Sequence, residues 1–290
     1  MLSCRWKSLF LIIVLPLSTL GQNFTWWNET HSWNGYDHWS SFMKLSPAFM
    51  GPNAFPIPFA ERIVNQPEFE IRYSHHFNPG ESSWDIFSRI SFPVGERASL
   101  RFQINPVEYF LMDTMVRNER IARDENPEGY ASGDLLVEFN TSLISSQKIQ
   151  LLFNFGLKTA SGSEFRNARY TDSPAYYFNL SLHRHINIHP EIKMNLGTLI
   201  GLYVWQTYMI NNRQNDAFLY AFSCKIDFKK ISLLNDIRGF TGYLKNGDSP
   251  LLYSVKLSRN MSRFELFISQ QFSIHDYPYQ SSQFGSKYYF

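Results

Sequence analysis

The side chains best equipped for chemistry stand far apart in this sequence. His75 and His76 are adjacent, Asp85 follows shortly after, and Ser273, His275 and Asp276 lie close to the C-terminus. Imidazoles titrate near neutral pH and bind divalent transition metals, and carboxylates complete either a metal site or an acid–base pair. Such a set works only if its members meet, so the fold must join two distant stretches of chain. A second group, His183, His185 and His189, is spaced for a metal but reads more simply as structural. A third, Arg117, Arg120 and Arg123, would align on one helical face and suit an anionic group. With Asp124, Glu125 and Glu128 as neutralising neighbours, it reads as a solvated loop.

The elements that must position these residues are strands. Phe69, Ile71, Tyr73, His75 and Phe77 alternate with Glu70, Arg72, Ser74 and His76, the period of a strand with one apolar face. The pattern returns around Ile86 and Phe92, Leu100 and Ile104, Leu135 and Phe139, Leu151 and Leu157, and Tyr176 and Leu182. It continues at residues 192–205, Phe218 to Phe228, 231–242, Leu251 to Leu257, Phe264 to Ile268 and Tyr288 to Phe290. About twelve antiparallel strands are expected over residues 68–290, and closing the last against the first would bring His275 and Asp276 to the rim carrying His75, His76 and Asp85.

Residues 1–21 read as a signal peptide: Arg5 and Lys7 precede an apolar run from Leu9 to Leu15 that ends in small residues before Gly21. That run is too short for a spanning helix, and none follows. Removing Arg5 and Lys7 leaves Lys and Arg equal in number to the 25 Asp and Glu, so no nucleic-acid footprint remains. Cys224 alone survives, which excludes an intrachain disulfide. Residues 22–67 carry Trp26, Trp27, Trp33 and Trp39 and then a Pro/Gly-rich stretch, Gly51-Pro52-Asn53-Ala54-Phe55-Pro56-Ile57-Pro58. They form an irregular N-terminal segment, either a loose leader or a plug folded into a lumen.

Alternation alone allows a soluble β-sandwich as well as a transmembrane barrel. Aromatics make up 17% of the chain, charges only 18%, and aromatics cluster near strand ends, as interfacial girdles do. Connector lengths also alternate. Those after even-numbered strands are short, whereas those after the third, fifth, seventh and eleventh are long, especially 107–133 and 159–173. Both termini then fall on the short-turn side.

The apolar leader, the strand series and the terminal Phe290 together resemble Gram-negative outer-membrane β-barrel proteins, where a final Phe on an amphipathic last strand is the assembly signal. Within that class, Gly133-Asp134-Leu135-Leu136-Val137, Gly156-Leu157-Lys158-Thr159-Ala160-Ser161-Gly162 and Asn246-Gly247-Asp248-Ser249-Pro250 resemble uncharacterised porin-like barrels of Bacteroidetes-type bacteria. The resemblance spans most of residues 52–290 and implies a fold and a location. Its partners would be outer-membrane lipid and lipopolysaccharide, the assembly machinery and a small polar solute.

The expected fold is therefore all-β, a closed antiparallel transmembrane barrel with short periplasmic turns and longer extracellular loops. Arg72, Arg89, Arg101, Glu138, Lys158, Arg238, Lys256 and Glu265 would line the lumen, with the three arginines of the first strands forming an anion-favouring wall. His75, His76, His275 and Asp276 would be the candidate metal set at the rim. No cofactor or nucleotide motif and no nucleophile elbow occurs. The expected function is passage of a small polar solute; an assembly, adhesion or surface-anchoring barrel is the alternative, and an outer-membrane hydrolase a third.

Overall fold

The computed structural model describes residues 24–209 and 211–290, so the expected signal peptide at residues 1–21 lies outside the described residues. Thirteen strands follow one another: β1 (Glu68–Asn78), β2 (Glu81–Val94), β3 (Ala98–Met112), β4 (Glu128–Ala131), β5 (Leu136–Ser145), β6 (Ile149–Lys158) and β7 (Ala175–His189), then β8 (Ile192–Met209), β9 (Asn212–Phe228), β10 (Ile231–Gly242), β11 (Leu251–Met261), β12 (Phe264–His275) and β13 (Gln280–Tyr289). They make a closed barrel of twelve strand positions. The extra strand arises because β4 and β5 share one position: β4 pairs with the far half of β3, β5 with its near half, and Gly133 bridges the break by donating to the Asn105 carbonyl at 2.7 Å.

Closure is made by β1, which pairs with β2 on one side and β13 on the other, as in Tyr73 opposite both Ile86 and Phe284. The faces are inverted relative to a soluble protein. Ile71 and Phe77 are 43% and 57% exposed on the outer face, while Glu70 and His76 are 4% and 3% exposed inside. A closed ladder clad in exposed apolar side chains is a transmembrane barrel, because it leaves no unpaired strand edge to lipid.

Both termini of the barrel wall lie at one end, where every turn is tight. At the opposite end, 113–127 and 159–174 are long, as expected. Two expected long connectors are corrected: β8 and β9 continue so far that only residues 210–211 join them, and β12 and β13 are joined by 276–279. The expected loop at 107–133 is also shorter than the sequence suggested. At Asn105 and Pro106 two residues of β3 oppose the single Phe87 of β2, a β-bulge. Proline has no N–H for the ladder, and the extra residue flips the phase of alternation so that Asn105 and Glu108 both turn inward.

The N-terminal segment enters from the long-loop end. Helix α1 (Thr25–Thr30) rests on the loops there, with Trp27 Nε1 donating to the Ile121 carbonyl at 3.1 Å. The chain then descends inside the barrel. Met43, Leu45, Met50, Ala54, Phe55 and Ala60 pack on an apolar interior surface made by Leu136, Tyr177, Leu199, Tyr203, Trp205, Leu219 and Phe240. Trp205 Nε1 donates to the Leu45 carbonyl at 2.9 Å, and its ring meets Phe55 at 5.4 Å between centroids. Gly51 passes so close to the loop of 159–174 that a Cβ would sit 2.6 Å from the Arg169 carbonyl oxygen. The segment leaves at the opposite end, where Pro67 accepts a hydrogen bond from Phe290 at 3.1 Å.

The long loops fold inward over this segment through a buried charge network. Glu81 is bonded by Arg120, Arg169 and the Tyr279 hydroxyl, the last at 3.0 Å. Glu108 accepts from Arg169 Nε at 2.7 Å, Tyr170 at 2.6 Å and Asn53 at 3.1 Å. Asp85 accepts from Asn53 at 2.8 Å and Asn105 at 2.9 Å and bonds His76 Nε2 at 2.6 Å. Burial, joined by the charge of Glu108 beside Tyr170, raises both loop phenols well above their ordinary range, so each stays protonated as a donor. The arginine trio is corrected here. Helix α2 (Thr114–Glu119) ends before two of its members; Arg117 and Arg120 are buried, and Arg123 lies over Phe24 at 3.8 Å.

Two outcomes follow from this architecture. The folded chain in detergent should migrate differently unboiled and boiled on an electrophoresis gel, because the closed ladder resists the detergent until heated; identical migration would contradict closure. Arg169→Met should lower resistance to urea by about 3–5 kcal/mol, because Glu81 and Glu108 lose their shared counter-charge in a dry site. Equilibrium unfolding followed by tryptophan fluorescence measures it, and an unchanged midpoint would show the network to be energetically idle.

Candidate functional site in the barrel lumen

The segment fills part of the lumen and leaves beside it a cavity of about 660 Å³, bounded by β1 to β3 and β10 to β13, by His183, Asn195, Gly197, Ser223 and Lys225 of β7 to β9, and by the segment itself. Its ceiling is Asn53, His76, Asn105 and Tyr277, beneath the buried network. Its lower end is set by Glu68, Lys225, Ser258, Glu265, Lys287 and Tyr289, near the tight turns, where Arg62 and Gln66 are exposed. The cavity is lined by eight Lys and Arg against five Asp and Glu, so cations are in excess.

Alternation explains why these charges meet. The odd-to-even shifts at each turn keep Glu70, Arg89 and Lys287 on the inner face of adjacent strands, where they ladder across the seam. Arg89 donates to Glu61 and to Glu70 at 2.8 Å each, and Arg101 is paired with Glu61 and donates to the Arg62 carbonyl at 2.7 Å. Lys287 lies 3.3 Å from Glu68, and Lys256 lies 3.3 Å from Glu265 and 3.7 Å over the Phe267 ring.

Of the eight residues expected to line the lumen, Arg72, Arg89, Arg101, Arg238, Lys256 and Glu265 surround this cavity. Glu138 faces a smaller adjoining space and accepts from the Tyr177 hydroxyl. Lys158 is sealed away, 2.6 Å from Asp134 and 2.7 Å from Thr171. The expected arginine wall is altered, since Glu61 from the inner segment compensates Arg89 and Arg101. No periodic signal marks Glu61, which is why the sequence reading missed it; Glu108 and Arg169 were missed because the bulge and the infolded loop carry no alternation, and Glu81 because Ser82 and Ser83 beside it are both polar and hide the face it takes.

The rim set does not assemble, and its metal reading is corrected. His75 faces outward, His76 faces inward between Asp85 and Ser281 Oγ at 2.7 Å, and His275 is exposed, bonding the Ser249 carbonyl at 2.9 Å and lying 3.4 Å from Asp276. Neighbours along a strand point to opposite faces, so His75 and His76 cannot share a ligand. His183 and His185 both face the lumen on β7 rather than lying in a turn, and His189 is exposed. Among the described residues, no three His, Cys, Asp or Glu side chains are grouped to hold a metal ion. Phe290 is 63% exposed, with its ring 5.0 Å from that of Tyr288.

The sequence matches no protein-family model, and no curated protein shows significant sequence similarity to it. Solved structures share the architecture. An outer membrane channel from Pseudomonas putida F1 superposes with a TM-score of 0.54 at 8% identity, covering 81% of this chain and 99% of that one. The NanC porin gives 0.52 at 8% identity, covering 77% of this chain and 100% of that one, and the KdgM porin 0.48 at 13%, covering 76% and 99%. At these identities the likeness is one of fold, and the fold is that of outer-membrane β-barrels.

Proposed function

We propose that this chain is an outer-membrane, porin-like barrel that admits a small polar solute to its lumen and is held closed by its own N-terminal segment. The supporting observation is the cavity itself, a polar, ligand-sized space inside a lipid-clad barrel, which has no structural use if the interior only had to be filled. Its lower end would face the periplasm, since outer-membrane barrels place short turns and termini there. Residues 22–67 then act as a plug, with α1 and Tyr36 on the extracellular side. Lipid and lipopolysaccharide would surround the wall, and the exposed ring of Phe290 would be the handle for the assembly machinery.

A second reading, a surface-anchoring or adhesion barrel, is favoured by one feature: the upper lumen is filled by the segment and the buried network. Conductance separates the two. In planar bilayers the intact chain should be mostly silent, whereas a variant lacking residues 24–58, or Phe55→Asp with the full segment retained, should give discrete steps. If neither variant conducts, passage is excluded and the anchor remains.

Orientation has its own readout. Tyr36 is 94% exposed and the adjoining Gly35 has open space around it. A peptide tag inserted after Gly35 should bind antibody on intact cells; binding only after permeabilisation would reverse the proposed orientation.

A further inference from the structure

Most charges in the cavity have close partners; Arg72 is held loosely, and Arg238, with one carboxylate partner, borders the same space. The nearest carboxylate to Arg72 is Glu70, 3.7 Å away and already holding Arg89 at 2.8 Å. The Arg72 guanidinium is instead carried over the Phe87 ring at 4.1 Å; its Nε has no hydrogen-bond partner, as is also true of Arg89 and Arg101, whose terminal nitrogens are however held by Glu61. Arg238 reaches Asp236 and Gln271 at 2.9 Å each, lies 5.2 Å over Phe59, and also has an unpartnered Nε. Both arginines border the same cavity.

Two guanidiniums held toward one space by aromatic rings, in a lumen where water screens poorly, are stabilised by an anion placed between them. The planar fork of N–H donors matches carboxylate and phosphate oxygens. The carboxylates nearby are already engaged: Glu70 is shared with Arg89, Asp85 is held by His76, Asn53 and Asn105, and Asp236 is held by Arg238 and Ser254.

We propose that Arg72 and Arg238 form an oxyanion site in the lumen, which takes the carboxylate or phosphate of a small polar solute. Phe59 and Phe87 hold the two guanidiniums in place, and Gln103 and Gln283 on the same cavity wall offer amides to the neutral part of the solute. This deepens the lumen reading given above and rests on it, but equilibrium binding does not require passage.

Calorimetric titration of the full chain in detergent, at constant ionic strength, tests it with inorganic phosphate, citrate and glucose. Phosphate and citrate should bind saturably and glucose should not. Arg72→Gln and Arg238→Gln should each weaken binding by about tenfold or more, the loss of a charge-assisted contact. Arg72→Lys, which keeps the charge and loses the fork, should weaken binding less than Arg72→Gln, and Lys229→Gln, on an exposed turn beside Glu191, should leave it unchanged. Heat-modifiable migration certifies folding of each variant. Should a variant not fold, protection of Arg72 from phenylglyoxal by citrate, read by mass spectrometry on the unaltered chain, gives the same answer. No saturable binding, equal binding of glucose, undiminished binding by the glutamine variants, or no protection of Arg72 would each overturn the site. Binding without conductance removes passage and keeps the site; conductance without binding removes the site alone.

Discussion

Everything in this structure depends on the seam between β1 and β13. In a hydrocarbon surround an unpaired N–H or carbonyl has no alternative partner, so the sheet must return on itself completely. The pairing from Glu68 with Tyr289 up to Phe77 with Gln280 does this along the length of β1. Closure then fixes the chemistry of both faces. Side chains alternate, so once Phe69, Ile71 and Tyr73 meet lipid, Glu68, Glu70 and Arg72 are confined to the interior. The charges inside are consequences of the seam, and each must find a partner there.

The interior meets that demand in two ways. On β5 to β10 a patch of inward residues, Leu136, Tyr177, Leu199, Tyr203, Trp205, Leu219 and Phe240, is apolar, and it is covered by Met43, Leu45, Met50 and Phe55 in ordinary core packing. Around the seam the inward residues are charged and pair with one another, with Glu61 completing Arg89 and Arg101. One segment therefore serves both halves, burying apolar surface with one stretch and supplying a carboxylate with the next. Withdrawing it would uncover an apolar surface and release two arginines together, which couples occupancy of the lumen to its charge.

The strands were legible because lipid-facing alternation is written directly in the residues, and the seam could be deduced from an even strand count. What failed to show had physical reasons. Pro106 breaks the alternation phase, so Glu108 and Phe110 look like loop residues although they continue β3. Arg120 and Arg169 sit in polar text that looks solvated, yet they answer Glu81 and Glu108 on strands β2 and β3, a pairing no local pattern encodes. Among the candidate site residues, facing was readable and neutralisation was not: alternation turned Arg89 inward, but only the fold brings Glu61 to it. The rim histidines failed for the converse reason, because adjacency in sequence means opposite faces on a strand.

The direction of the N-terminal segment ties its insertion to the formation of the seam. The segment runs from the long loops to Pro67, and Pro67 is bonded to Phe290, the residue next after the closing strand. The last bond of the wall is therefore made where the segment leaves the lumen. Its upper part is held by groups from three separate connectors: the carbonyls of Ile121, Ala168 and Gly247 accept hydrogen bonds from the Trp27 indole, the Gly51 N–H and the Ala48 N–H. Those connectors reach their places only when the strands beneath them are in register. The segment cannot be gripped before the barrel is largely formed, and a closed barrel offers it no lateral entry. The grip on the segment and the closure of the wall are therefore coupled: contacts that hold it need the strands in register, and its exit is tied to the seam that joins β13 to β1.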